Sequence, residues 1–470
     1  MLTLCFLAAF AWATSLAATR SYTLTLENRV IDLDSFRRSA IVINGESPGL
    51  LITAKKGDDV EVHVRNRLTD HTMAVATSIH WHGLLMRNAA SEDGVAWITQ
   101  CPIASGDDYT YRFNVGEQTG TYWYHSHVTS QYCDGLRGPL IIYDDPDPFK
   151  DLYDVDNEST IFMLHEWFFS PSPRAFRNLE PPLSVIVNKR GRTWDSNNTL
   201  PVTLSVTNVT QGKRYRFRVI NAGCLVMSEF SVDGHSLTII ELDGTKVNPK
   251  VTDGFVIHPG QRVSAVLHAN QPIANYWIRT KPSYEGLAAN HKDGHAILRY
   301  KGAGDSFPLT QSKAGASIIQ NEEGITPYRV PDKAIREADI KIDLSIAYNG
   351  FGDHFLVNHA IFAAPPVPVL LQIMNGVDPR KLMPNGSVIT LPRNKLVELS
   401  LPGGALFGPH PFHLHGHSFE VIRSVNSTTY NRINPPIRDV VSTGDTGDNT
   451  TIRFTTDNPG PWYEFLLVER

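Results

Sequence analysis

The 470-residue sequence has no excess of basic residues and few long apolar runs. Lys and Arg number 43 against 48 Asp and Glu, a net charge of -5 that argues against a nucleic-acid partner. No apolar run after residue 18 approaches the length of a membrane span. Hydrophobic residues make up 41% of the chain, which excludes a disordered protein. A chain of this length is expected to form two or three domains.

The first 18 residues, MLTLCFLAAFAWATSLAA, form a strongly apolar run that ends on small residues. This pattern is typical of a cleaved secretory signal, although no Lys or Arg precedes it. A membrane anchor is the alternative, but Trp12, Thr14 and the small-residue ending favour cleavage. We therefore expect a secreted, extracellular protein. Six N-x-[ST] sequons predict a glycoprotein: Asn157, Asn197, Asn208, Asn385, Asn426 and Asn449.

Cysteine is scarce, with only Cys5, Cys101, Cys133 and Cys224. Cys5 would leave with the signal, so three cysteines would remain in an oxidising compartment, where disulfides form. An odd number in that setting leaves one cysteine to be explained.

Long helical periods are also missing, and short alternating runs between Gly, Pro, Asn and Asp predict an all-β protein. One strand plan recurs three times, as an alternating apolar strand followed later by an aromatic strand. The alternating strands lie at 55–68, 211–223 and 392–404, and the aromatic strands at 113–127, 267–280 and 454–465. Three copies predict three related β-domains, each roughly the size of a sandwich.

This repeat sets the expected domain boundaries. A signal peptide at 1–18 precedes a first domain at 19–145, and a second domain follows at 150–302. A Gly- and Ser-containing linker or surface loop at 303–334 leads to a third domain at 335–470.

Histidine is concentrated in three short motifs, SIHWHGL, YWYHSHV and HPFHLHGHSF. Alternate residues of a strand share one face about 6.5–7 Å apart, so an H-x-H pair can serve two neighbouring metal ions. Neutral imidazole suits copper and zinc, and the lack of nearby carboxylates argues against calcium or magnesium. The scattered histidines are expected to be ordinary surface residues: His63, His71, His165, His235, His258, His268, His291, His295, His354 and His359.

The motifs HWHG, GTYWYHSHVTSQYCDGLRGPLIIYD and HPFHLHGHSF resemble the copper signatures of the multicopper oxidases, specifically the laccase branch. The resemblance covers nearly the whole chain after the apolar start. It implies three cupredoxin (Greek-key β-sandwich) domains. It also implies one mononuclear blue copper, and a trinuclear copper cluster between domains one and three.

The resemblance also implies a ligand set. His80 and His413 match type 2 copper ligands, His82 and His125 match one type 3 copper, His127 and His415 match the other, and His410 matches the first type 1 histidine. His417 matches a motif position that is not a ligand in the family. The sequence thus supplies both type 2 ligands, four of six type 3 ligands and one of three type 1 ligands.

Two further roles follow from the resemblance. Asp93, in EDGVAWITQCP, matches an acid near the cluster and would relay protons, with a turn-forming Asp-Gly as the alternative. Cys133 is paired with Cys224. Cys101 is paired in the family with a C-terminal cysteine that this sequence lacks, so Cys101 is expected to be a free thiol.

The family places the type 1 cysteine in an H-C-H motif directly after the GPW of the third domain. Here Trp462 is followed by YEFLLVER, which contains neither Cys nor His. The internal repeat agrees, because Trp123 of domain one is followed by His125 and His127. We therefore expect an early C-terminus, by truncation, frameshift or a misjudged exon boundary. The third domain would then be incomplete and the chain as printed inactive.

The resemblance implies a secreted laccase that oxidises phenols or aromatic amines by single electrons, with a role in lignin degradation, and reduces O2 to water. A ferroxidase and a catalytically inactive copper-binding product remain as alternatives. The expected cofactor is copper. The expected partners are molecular oxygen and small phenolic or aromatic amine reductants, bound by a monomer with no nucleic acid and no membrane span. A shared copper cluster further requires the three histidine motifs to converge in space.

Overall fold

The computed structural model describes residues 17–193, 203–282, 295–329, 336–349, 354–404 and 408–466. The described residues form 31 strands and two short α-helices, which confirms the all-β prediction. Several expectations concern residues outside these ranges: the signal segment up to residue 16 with Cys5, the sequon at Asn197, His291, residues 330–334 of the expected linker, and residues 467–470.

Residues 19–143 form a first sandwich of two four-stranded sheets, ordered β2-β1-β4-β6 and β3-β8-β7-β5. The alternation in β4 turns Val60, Val62 and Val64 into the core, where they meet Tyr122 and Tyr124 from the facing sheet. The strands are β1 (Thr19–Asp32), β2 (Arg37–Ile43), β3 (Ile52–Lys55), β4 (Asp59–Arg67), β5 (Ile79–His82), β6 (Asp108–Asn114), β7 (Gly120–Ser126) and β8 (Arg137–Tyr143). Short 3-10 helices cover Ala90–Glu92 and Gln131–Asp134.

Residues 161–319 form a second, larger sandwich of seven and six strands, ordered β11-β10-β9-β13-β18-β15-β16 and β12-β20-β19-β14-β17-β21. Phe217 and Val219 of the second alternating repeat are fully buried in its core. The strands are β9 (Ile161–Trp167), β10 (Ser184–Val187), β11 (Arg190–Thr193), β12 (Ser205–Val209), β13 (Arg214–Asn221), β14 (Ser228–Val232), β15 (Leu237–Leu242), β16 (Thr245–Thr252), β17 (Gly254–Ile257), β18 (Arg262–His268), β19 (Asn275–Pro282), β20 (Ala296–Tyr300) and β21 (Ile318–Ile319). Helix α1 (Ser172–Arg177) follows β9, and 3-10 turns cover Lys150–Leu152 and Glu158–Thr160.

The third unit contains a five-stranded sheet ordered β22-β25-β30-β27-β28, a three-stranded sheet ordered β29-β26-β31, and the hairpin β23-β24. Val397, Leu399 and Leu401 of the third alternating repeat lie in its core. The strands are β22 (Ile340–Asp343), β23 (Ile346–Asn349), β24 (His354–Val357), β25 (Leu396–Pro402), β26 (Pro411–Leu414), β27 (Phe419–Arg423), β28 (Ile437–Arg438), β29 (Val440–Ser442), β30 (Asn449–Thr455) and β31 (Glu464–Leu466). Helix α2 (Val369–Met374) and a 3-10 turn at Pro379–Lys381 lie between β24 and β25.

Two contacts tie these units together. Cys133 and Cys224 form a disulfide between the first and second sandwiches, with their Cα atoms 5.8 Å apart. Cys101 is free and exposed. The side chain of Trp462, from the third unit, packs against the core of the first. In the part of the chain that the structure describes, no helix has the length and apolar character needed to cross a membrane.

Candidate metal centre

The H-x-H motifs of the first sandwich lie on two adjacent strands. β5 and β7 pair antiparallel, with His80 opposite His125. Trp81, between the two histidines of β5, points into the sandwich core beside Tyr111 and Tyr124. Because strand side chains alternate, the histidines on either side of Trp81 project from the opposite face. The buried tryptophan therefore fixes which way the pair points.

The third unit brings its histidines to the same place. His413 lies on β26 and His415 follows its end. The His413 ring stacks on His82 with centroids 3.9 Å apart, and the His415 ring lies 4.0 Å from His80 and 5.2 Å from His127. The structure thus brings all three motifs together, as a shared site requires. The six-histidine cluster consists of His80, His82, His125, His127, His413 and His415.

Hydrogen bonds at Nδ1 fix the tautomers of several of these rings. The Nδ1 atoms of His80 and His413 each lie 2.7 Å from a backbone carbonyl, of Asp93 and Asp439 respectively. His125 Nδ1 lies 2.8 Å from the Ser126 carbonyl. A carbonyl oxygen can only accept, so Nδ1 carries the hydrogen in each ring and Nε2 presents a lone pair.

Those lone pairs point into a dry interior. The five histidines other than His127 are at most 3% exposed. Among the described residues, Nε2 of His80, His413 and His415 has no hydrogen-bond partner. A buried polar atom without a partner is costly, and three of them at one point are explained by a bound cation.

The donor set fits a copper ion. Ligand atoms of His80, His82 and His413 all lie within 4.8 Å of one another, as do those of His80, Asp93 and His415. The set is rich in neutral imidazole nitrogen, which suits copper better than calcium or magnesium.

The environment keeps the imidazoles neutral. Burial, reinforced by neighbouring positive or histidine groups, lowers the pKa of His82, His125, His127 and His413 well below the ordinary value. Burial lowers the pKa of His415 to about 4. Neutral imidazole is the form that binds metal, so these rings are ready to act as ligands at neutral pH.

Asp93 contacts rings from both halves of the cluster. It ends the 3-10 helix Ala90–Glu92 and is fully buried. Its backbone carbonyl accepts from His80 Nδ1, and its Oδ2 accepts from His415 Nδ1 at 2.9 Å. Burial opposes ionisation of Asp93, but His415 and His80 outweigh that effect and lower its pKa. Asp93 therefore orients two rings, while its part in proton transfer stays a prediction.

His410 and His417 lie on either side of the cluster histidines in the third unit. His410 precedes β26 and is buried; its backbone exchanges hydrogen bonds with Thr443, at 2.9 Å and 3.2 Å. His417 packs its ring against Phe454 and Trp462, with centroids 5.4 Å and 6.0 Å away.

Asp439 was not recognised from the sequence as part of this site. Its backbone carbonyl orients His413, and its Oδ1 lies 3.6 Å from His82 Nε2. The side chain is only 2% exposed and is held by Arg262. The available signal was the charged pair Arg438–Asp439 directly before the buried Val440 and Val441, since charges in a core strand are seldom structural filler.

The expectation that the scattered histidines lie at the surface is wrong for four of them. His165, His235, His258 and His295 are all buried, with exposures between 2% and 7%. For His235 the partners are clear, because its ring joins the Asp233 carbonyl and the Tyr300 hydroxyl inside the second sandwich. Their spacing in sequence did not reveal such partners.

The family and its relatives agree with this geometry. Three family models, each described as multicopper oxidase, match residues 25–147, 158–303 and 362–464. A laccase of Phlebia radiata is 45% identical over 452 residues, spanning 93% of this chain and 84% of that protein. Laccase-1 of Trametes villosa is 45% identical over 453 residues, spanning 94% and 85%.

Solved structures show the same fold. The laccase from Botrytis aclada superposes with a TM-score of 0.83 at 30% identity, covering 96% of this chain and 85% of that one. Fet3p, a multicopper oxidase that functions in iron import, superposes with a TM-score of 0.82 at 28% identity, covering 96% and 88%.

Proposed function

Because the chain belongs to the multicopper oxidase family, in its laccase branch, and has three cupredoxin domains, we propose that it is a secreted laccase. Its substrates would be small phenols or aromatic amines, including lignin-related phenols. Four substrate molecules each lose one electron, and one O2 takes up the four electrons and four protons to form two water molecules.

The observation that carries this proposal is the convergence of the unpartnered Nε2 lone pairs of His80, His413 and His415 in the six-histidine cluster. They come from two domains and meet in a buried site, in the described part of the chain. Hydrogen-bonded Nδ1 atoms hold the rings in place before any metal arrives. Such preorganisation is expected of a metal centre and has no purpose in a merely packed core.

The residues that would hold copper follow the family's motifs. His80 and His413 would hold a type 2 copper; His82 and His125, and His127 and His415, would hold the type 3 pair; His410 would hold a type 1 copper. Bound copper supplies one-electron redox chemistry, between the reductant and oxygen. The chain itself excludes bulk water from the cluster and fixes the orientation of each ring.

Asp93 would relay protons at the cluster. Its Oδ2 accepts a hydrogen bond from His415, whereas its Oδ1 lies 3.4 Å from His80 Nδ1 and has no hydrogen-bond partner among the described residues. Oδ1 can therefore take up and release a proton without breaking the contact that orients His415.

Secretion is supported by a disulfide and by exposed glycosylation sequons. A disulfide between Cys133 and Cys224 is typical of an oxidising compartment. The sequons at Asn157, Asn208, Asn385 and Asn426 are exposed, so oligosaccharides could be attached there.

Copper binding by the cluster is tested by titrating the metal-free chain with copper against a chromophoric chelator. We expect replacement of His413 by Ala to weaken copper binding at least about tenfold, because it removes one of the two proposed ligands of the type 2 copper. His63→Ala is the matched control, since His63 lies on β4 away from the cluster. Equal affinities for the two variants would contradict the proposed site.

A ferroxidase is the second candidate, favoured by the likeness to Fet3p. The two activities are separated by comparing kcat/KM for a methoxyphenol and for Fe²⁺ under the same oxygen concentration. The chain used would carry an H-C-H segment after Trp462, because the family's type 1 thiolate lies there. A higher value for Fe²⁺ would favour the ferroxidase. Full copper loading without either turnover would favour the inactive copper-binding product.

A further inference from the structure

The second sandwich supplies none of the six cluster histidines, yet it holds the segment behind His413. Arg438 donates to Asp243 at 2.8 Å and to Glu322 at 2.9 Å, both outside the third unit's sheets. The Val440 carbonyl accepts from Gln261 at 3.1 Å. Residues 438 and 440 are thus both hydrogen-bonded to residues from the middle of the chain.

The residue between these two, Asp439, is held by Arg262. The guanidinium of Arg262 makes a two-point ion pair with the carboxylate, at 2.5 Å and 2.6 Å. Val440 pairs with His413 across β29 and β26, and the Asp439 carbonyl accepts from His413 Nδ1. Arg262 therefore acts on His413 through a single intervening residue.

The same guanidinium also reaches the first sandwich. Arg262 Nε donates to the carbonyl of Thr121 at 3.0 Å, on the strand β7 that carries His125. Arg262 and Asp439 are both buried, and the guanidinium lies over the Tyr122 ring at 5.5 Å. One side chain thus bonds the strand behind His125 and the residue behind His413.

The glycine of HWHG makes room for this ion pair. Gly83 has φ +90°, and a Cβ there would lie 2.4 Å from Arg262 Nη2 and 2.6 Å from Asp439 Oδ2. The ion pair therefore leaves no room for a side chain at the position directly after His82. This contact links the Arg262–Asp439 ion pair to the end of β5, the strand that carries His80 and His82.

We propose that Arg262 is a positioning residue for the metal centre, and that it sets the separation of the histidines of the first domain from those of the third. A buried ion pair is a poor source of stability, but the planar fork of Arg fixes geometry at several points at once. The inference rests on the proposed function, because it assumes that the six-histidine cluster holds copper.

The test compares Arg262→Lys with Arg38→Lys. Arg38 is a matched control: it is buried, pairs with Asp134 at 3.0 Å and donates to the Phe168 carbonyl, so it too joins the first and second sandwiches. Lys keeps the charge at either position but cannot reproduce the two-point pair that Arg262 makes with Asp439. The first readout is copper affinity of the metal-free chain by chelator competition. The second is amide hydrogen exchange of the peptides covering β7 and β26, measured without metal.

We expect Arg262→Lys to weaken copper binding about tenfold or more and to speed exchange in both peptides, whereas Arg38→Lys leaves both readouts near those of the unchanged chain. Asp439→Asn keeps the carbonyl that orients His413 while breaking the ion pair, so it should act in the same direction. It also replaces Arg262→Lys if that variant does not fold.

The outcomes separate the two proposals. An unchanged chain that binds no copper would overturn the proposed function. An unchanged chain that binds copper, with Arg262→Lys and Asp439→Asn indistinguishable from Arg38→Lys, would overturn the positioning role alone. Loss of affinity without faster exchange in β7 and β26 would also count against it, since the role requires both segments to loosen.

Discussion

At the scale of the single residue, Asp93 and Gly94 show how one dipeptide serves both the site and the chain path. Asp93 orients His80 through its backbone and His415 through its side chain. Gly94 has φ +81°, and a Cβ there would lie 1.7 Å from the Ile79 carbonyl oxygen. The sequence left a proton relay and a turn-forming Asp-Gly as alternatives for Asp93. The structure shows a left-handed glycine and two histidine contacts in the same dipeptide, and the relay stays a prediction.

Replacing Gly94 by Ala should therefore destabilise the chain more than Gly57→Ala. Both glycines have a left-handed φ, near 81° and 85°, but a Cβ at Gly57 meets nothing within 4 Å. The control should lose about 1–2 kcal/mol for backbone conformation alone. The clash at Gly94 should add at least about 1–3 kcal/mol, and it presses on the residue before His80. Urea unfolding midpoints measure the difference, and equal shifts would show that the clash is relieved elsewhere.

At the scale of the element, the strands that repeat in sequence were predictable and their contacts were not. The alternating repeats correspond to β4, β13 and β25. They were predictable because the alternation of apolar and polar residues along a strand is visible in the local sequence. The convergence of β5, β7 and β26 was expected only through the resemblance to a known family. Residues 303–334, expected to be a linker or surface loop, contain β21, which pairs at the edge of the six-stranded sheet of the second sandwich.

The positioning roles of Asp439 and Arg262 could not be assigned from sequence, because they depend on contacts between domains. The two residues are separated by 177 positions and meet only when the second and third domains pack together. No local spacing distinguishes Arg262 from other arginines of the second sandwich. The motif histidines were recognisable because a metal imposes a spacing on one strand, whereas a positioning residue is constrained only in space.

The disulfide between the short helix Gln131–Asp134 and the end of β13 gives an element-scale prediction. Its two cysteines are 91 residues apart, so closing that loop should stabilise the chain by about 4 kcal/mol. Cys224→Ser should lower the unfolding midpoint accordingly. Thiol labelling of the denatured, unreduced chain from residue 19 should count one group, Cys101, in the unchanged protein. Three labelled groups would show that the bond does not form.

At the scale of the whole molecule, the metal centre is a product of assembly. The first and third domains contribute the histidines, and the second holds both in register through Arg262, Gln261 and Asp243. Trp462 adds another joint, since its side chain packs against the core of the first sandwich. The third domain is therefore docked on the first up to the GPW segment, with β31 paired to β26 just beyond it.

The last prediction concerns the residues after Trp462. A polypeptide comprising residues 19–470 offers His410 for type 1 copper, but YEFLLVER supplies neither thiolate nor imidazole. The blue absorption of that copper arises from thiolate-to-copper charge transfer. This polypeptide should therefore bind copper at the six-histidine cluster alone, lack the blue band and oxidise phenols no faster than background.

Replacing YEFLLVER with a segment that carries the family's H-C-H motif should restore the blue band and the turnover together. The matched control carries Ser in place of the cysteine of H-C-H, which keeps the length and both histidines of the segment but removes the sulfur. Because the other ligands are unchanged between the two, any difference in absorption between them reports the thiolate alone. Oxygen-dependent phenol oxidation by the 19–470 polypeptide would contradict the prediction, since it would require an entry point for electrons other than a thiolate-bound copper.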